Sequence, residues 1–156
     1  MARRHEQHEL TTADAIDRLR LARAEGVGPV SYRRLLARYG SAAVALDALP
    51  RLASAGGRES PPTVPTADEA ERELDSIQRR GARALVFGEQ TYPPLLALLD
   101  DAPATITVLG DVSALTDRSV ALVGARNASA NGQRVAENLA AELARTLVVV
   151  SGLARG

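Results

Sequence analysis

The apolar positions of this chain change their period along its length, and each change marks an element. From residue 12 to 25, Ala15, Ile16, Leu19 and Ala22 recur at the three-and-four spacing of a helix face. GVGP at 26–29 breaks the pattern. A second helix follows through Tyr32, Leu35, Leu36 and Tyr39 to Gly40, and a third, short one covers 42–49. Residues 54–66 (SAGGRESPPTVPT) are rich in Ser, Gly and Pro and read as a connection. Thr66 with Glu69 three residues later predicts a capped helix start. That helix buries Ala70, Leu74 and Ile77, and Gly81 stops it. Strands are expected at 82–87 and 105–109, separated by a turn at 91–94, an apolar patch at 95–99 and a break at 100–103.

The sharpest signal lies at the end. Residues 119–124 (SVALVG) form a continuous apolar run, as expected of a strand covered on both faces. A helix over about 131–145 places Val135, Leu139 and Leu143 on one face with Ala136 and Ala140 beside them, and 147–150 (LVVV) is another buried strand. Strand, glycine loop, helix, strand, glycine loop is one β-α-β unit of a parallel sheet. In such units ligands gather where the carboxyl ends of the strands open into loops.

Those loops hold the candidate chemistry. Gly124 lets the chain leave its strand without a side-chain clash, Ala125 is small, and Ser129 is placed to cap the following helix. An anion there meets N–H groups and the positive helix end, with Arg126 available for a charge-assisted contact. Ser151 and Gly152 leave the next strand beside them; Ser151 can donate to a phosphate oxygen and Arg155 adds charge. The spacing matches neither the Walker A pattern nor the dinucleotide fingerprint. A βα turn without a ligand, with Ser151 capping a further helix, stays open as the plainer alternative.

Composition removes other chemistries. With no cysteine there is no disulfide, thiolate metal site or cysteine nucleophile. His5 and His8 sit in a polar tail, the acids of 68–75 repel one another on a helix face, and Asp100 and Asp101 diverge. No metal site, cofactor or nucleophile–base pair is therefore expected, and catalysis is not predicted. All 19 basic residues are arginine in a chain of zero net charge. The charge is uneven, with 10 Arg against 6 acids in 1–58, 4 against 11 in 59–117 and 5 against 2 in 118–156. The basic ends suit an anion such as DNA. With no signal peptide and no apolar run of about 18 residues, a cytoplasmic protein without membrane contact is expected.

Helix, GVGP turn, helix resembles a helix-hairpin-helix or SAM-like module, whose turn N–H groups can bind a backbone phosphate; a plain α-hairpin is the alternative. The later motifs resemble the DNA-processing protein A (DprA, or Smf) family. They are Tyr92-Pro93, Asp101-Ala102-Pro103, Val108-Leu109-Gly110, Val123-Gly124-Ala125-Arg126 with Ser129 and Gly132, and residues 149–156 (VVSGLARG). The resemblance covers about residues 14–156, with Thr146 where the family commonly has glycine. It implies an α/β chain: a SAM-like helical module (1–58) with a polar N-terminal tail, a linker (59–66) and the first part of a Rossmann-like parallel sheet (67–156). It further implies single-stranded DNA binding in natural transformation, protection of incoming DNA and loading of RecA. Arg126 would sit in the basic pocket and Gly124 and Ser151-Gly152 in its glycine loops. It also implies a chain cut after SGLARG, lacking the surfaces for the homodimer and RecA and therefore a poor independent folder. Two other readings stand beside it: a nucleotide hydrolase of the lysine-decarboxylase-like type, whose P-G-G-x-G-T motif does not occur in these residues, and a non-functional truncated product.

Overall fold

The computed structural model describes residues 12–152, which divide into two compact units that part between Asp111 and Val112. The first unit opens with three helices: α1 (Thr12–Arg23), α2 (Pro29–Tyr39) and α3 (Ala42–Ala55). Gly26 takes a left-handed φ of 79° in the first turn, and Pro29 opens α2 at a position where a missing N–H costs nothing. Gly40, also left-handed, closes α2 by donating to the Leu36 carbonyl at 2.9 Å. Ser41 caps α3 by accepting from Val44 N–H.

The helices meet on Leu21, Ala24, Tyr32, Ala42, Ala45, Leu46 and Leu49, an aliphatic core around one buried tyrosine. Helix α3 does not stop at Leu49 as expected. It runs through Pro50 to Ala55, its distal half half-buried at Leu52 and Ala53, with Ser54 Oγ donating to the Pro50 carbonyl. Packing overrides the missing N–H.

The segment expected to be a free linker at 59–66 is fastened to the helices. The Glu25 carboxylate accepts from Thr63 N–H at 3.1 Å and from Arg58 Nη2 at 2.7 Å, Arg20 Nε donates to the Pro65 carbonyl, and Val64 packs on the core. The bond from Thr63, then Arg58, holds the Glu25 carboxyl below its ordinary range. Helix α4 (Ala67–Arg79) begins with the expected reciprocal box: Thr66 Oγ1 accepts from Glu69 N–H while Glu69 accepts from Thr66 N–H. It lays Ala70 against Ile16 and Leu19 of α1.

Strands β1 (Ala82–Val86) and β2 (Thr105–Leu109) pair antiparallel, with Ala82 opposite Leu109 and Val86 opposite Thr105. They belong with the helices: Phe87 and Ala104 pack on the helical core and Arg18 Nη1 donates to the Phe87 carbonyl at 2.9 Å. Between them, short α5 (Pro94–Ala97) leaves Leu95 and Leu98 exposed, while Arg33 stacks on Phe87 and donates to the Leu99 and Asp100 carbonyls. The first compact unit runs to Asp111, with α4 and β1 packed on α1 and β2 paired to β1.

The second unit contains a 3-10 turn (Val112–Leu115), β3 (Ser119–Ala121), α6 (Ala130–Leu143) and β4 (Val148–Val150). The strands pair parallel, as expected for a β-α-β unit, but each spans three residues and neither is buried. Val123 is 91% exposed. On α6 the half-buried positions are Ala136, Ala140 and Leu143, whereas Val135 and Leu139 face outward. Two strands and one helix cover only one side of one another, so the apolar run has no second layer among the described residues of this unit. The chain is mixed α/β, with a helical module followed by one antiparallel and one parallel strand pair.

Candidate nucleic-acid interface

Within the second unit the parallel register sets the site. Ser119, Val120 and Ala121 pair with Val148, Val149 and Val150, and Leu122 N–H donates to the Val150 carbonyl at 2.8 Å. Both strands end at the same level, so residues 122–129 and Ser151-Gly152 leave the sheet side by side at its carboxyl edge. Gly124, Ala125, Arg126, Ser129, Ser151 and Gly152 are all exposed on these two loops. Arg155 lies outside the described residues, as do His5 and His8.

The first loop is braced by the helix it feeds. Ser129 Oγ accepts from Gly132 N–H at 3.2 Å, so the serine is occupied as an N-cap. Gln133 Nε2 reaches back to the Ala128 carbonyl at 3.2 Å, and Arg134 bonds Asn131 Oδ1. Sequence reasoning passed over this polar first turn, whose signal was the run Asn131-Gly132-Gln133-Arg134 just after the cap. Arg126, at the tip, has no hydrogen-bond or ion-pair partner among the described residues.

The expected reason for Gly124 needs correction. Its φ is not left-handed, and a Cβ built on it or on Gly152 would meet no atom within 4 Å. Neither glycine is required by a clash or by strain within the chain. The space beside both backbones is open to an outside group.

Two motifs that suggested the family have a structural use. Tyr92, 4% exposed, packs edge-on against Phe87 and donates its hydroxyl to the Pro103 carbonyl at 2.7 Å. Ala102 is fully buried. The tyrosine-proline and aspartate-alanine-proline segments thus clamp the β1–β2 connection, and burial raises the Tyr92 phenol above its usual range.

Comparison with known proteins matches this architecture. A model described as the DprA-like N-terminal HHH domain matches residues 12–76, and one described as DNA recombination-mediator protein A matches residues 83–156. The chain belongs to the DprA family. The DNA processing protein DprA of Bacillus subtilis (strain 168) is 34% identical over 87 residues, which are 54% of this chain and 29% of that protein. The chain therefore represents an N-terminal portion of the DprA pattern and spans under a third of that relative's length. Among the described residues no helix is long and apolar enough to cross a membrane, and no group of three His, Asp or Glu side chains could hold a metal ion.

Proposed function

We propose that this DprA-type chain binds single-stranded DNA through its phosphates at the two loops that follow β3 and β4. The supporting observation is the parallel pairing, which sets residues 122–129 and Ser151-Gly152 next to each other on one edge. A phosphate lying there meets backbone N–H groups at Gly124 and Gly152, where no side chain intervenes, and the positive end of α6. Arg126 adds a charged donor with no carboxylate partner among the described residues. Contacts of this kind read the backbone and leave the bases free, so binding is independent of sequence. The role we assign is retention of a strand, with Ser129 Oγ engaged as the cap of α6. By the family resemblance, the strand is incoming DNA in natural transformation, kept for RecA in the cytoplasm by a homodimer of the full-length protein.

A salt titration of oligo(dT) binding tests the reading. Log K should fall linearly with log salt, by about 0.7 per neutralised phosphate for a single strand. Arg126→Ala should weaken binding by about tenfold, the worth of one hydrogen bond to a charged group of about 1.5 kcal/mol, and flatten the slope by about one contact. Binding that ignores both salt and the substitution rules the pocket out.

A further inference from the structure

The first turn of α6 carries a side-chain chemistry that phosphate binding does not use. The chain has three asparagines, Asn127, Asn131 and Asn138, and only Asn131 is followed by glycine. In that pairing the next backbone nitrogen attacks the side-chain amide most readily, because no Cβ shields it. Both residues are exposed. The helix itself does not call for glycine at 132. A Cβ built there meets Ser129 Oγ at 3.5 Å and Ala128 Cβ at 3.7 Å, which are ordinary contacts, and alanine is the better helix former.

The neighbours hold this pair in check. Gly132 N–H donates to Ser129 Oγ at 3.2 Å, which occupies the attacking nitrogen. Arg134 Nη2 donates to Asn131 Oδ1 at 3.1 Å, which draws electrons from the amide carbon under attack. Helical backbone keeps the glycine nitrogen and Asn131 Cγ apart, so the reaction needs the first turn to open. The side-chain bonds that close this turn, with Gln133 Nε2 to the Ala128 carbonyl among them, are all exposed. Exposed helix ends open at low cost.

We infer that Asn131-Gly132 is a self-deamidation site gated by the Ser129 cap, and that its product shuts the edge where β3 and β4 end. In the opened turn the Gly132 nitrogen gives its proton to hydroxide and bonds to Asn131 Cγ. The side-chain nitrogen takes a proton from water and leaves as ammonia, which closes a cyclic imide and returns the hydroxide. Water then opens either C–N bond of the ring, giving aspartate or the isomer whose backbone runs through the side chain. The net change is hydrolysis of one amide, with no redox partner. Either product sets a carboxylate beside residues 122–129, where it repels an incoming phosphate. The effect on DNA rests on the reading of those loops; the modification does not.

The test follows the full chain by tryptic peptide mass spectrometry during incubation at neutral and mildly alkaline pH. Arg126 and Arg134 bound a peptide that holds both Asn131 and Asn127, an internal control. Asn131 should convert several-fold faster than Asn127 or Asn138, and faster as pH rises. Ser129→Ala should speed it several-fold, Ser129→Thr should restore the native rate because threonine also caps, and Gly132→Ala should slow it. Conversion of Asn131 no faster than that of Asn127 overturns the inference, as does a rate that Ser129→Ala leaves unchanged. In oligo(dT) binding, Asn131→Asp should weaken affinity several-fold at low salt, while Asn131→Gln stays near the native value. Native-like binding by Asn131→Asp alongside a loss in Arg126→Ala overturns the closing role and leaves the loop reading standing. Binding unmoved in both removes the loop reading, and the closing role with it.

Discussion

Arginine stands at every Lys/Arg position of this chain, so its abundance says nothing about where an anion binds; the partner of each guanidinium does. Arg18, Arg20, Arg23, Arg33 and Arg58 tie helices to loops or strands, whereas Arg34 and Arg126 have no hydrogen-bond or ion-pair partner among the described residues. Tyr32 shows the reverse case, a polar group buried without a use. It is fully buried and its hydroxyl has no hydrogen-bond partner among the described residues. Burial pushes the phenol up to about 12, with the Arg18 charge offsetting only part of the cost. A raised acid pKa gives stability that is complete below the unfolded value near 10 and is lost as pH climbs through about 12. Tyr32→Phe should therefore abolish a decline on the order of 2 kcal/mol between those pH values. At pH 7 it should be neutral or slightly stabilising, since no bond is lost. Urea unfolding at pH 7 and pH 11 checks both; a variant less stable at pH 7 by about 1 kcal/mol or more would show a hydrogen bond the structure lacks.

At the scale of elements, the legible features were those encoded within one turn. The Thr66–Glu69 box, Gly40, Gly81 and Ser129 set the ends of α2, α4 and α6 within a residue or two of where the sequence puts them. Thr66→Ala should cost about 1 kcal/mol through the lost cap, read as a drop of several degrees in Tm, while Thr66→Ser should keep most of it. No change in the alanine variant would mean that packing of Ala70 on α1 alone holds the helix start. Less legible was what depends on neighbours. Pro50 stops a helix by its own chemistry, yet α3 continues because Leu46 and Leu49 anchor one side of it and Leu52 and Ala53 the other. The apolar period of α6 groups Val135, Leu139 and Leu143 with Ala136 and Ala140 beside them, and the folded unit, in which α6 packs on β4, half-buries Ala136, Ala140 and Leu143 and leaves Val135 and Leu139 exposed.

At the scale of the molecule, the α/β class and the side-by-side glycine loops could be read from the sequence, because a β-α-β unit is local. The assignment of β1 and β2 could not. Strand direction leaves no mark on an apolar run, and the bonds that bind this pair to the helices, from Arg18 to Phe87 and Arg33 to Leu99, join residues more than sixty positions apart. The same distance effect made 59–66 look like a linker when Glu25 holds it down. The central claim, that the loops after β3 and β4 receive a phosphate backbone, is tested most directly by amide chemical shifts of the labelled chain titrated with oligo(dT). The account predicts salt-sensitive shifts at Gly124, Ala125, Arg126 and Gly152, reduced throughout in Arg126→Ala. Saturable binding that leaves those four amides unmoved would contradict it.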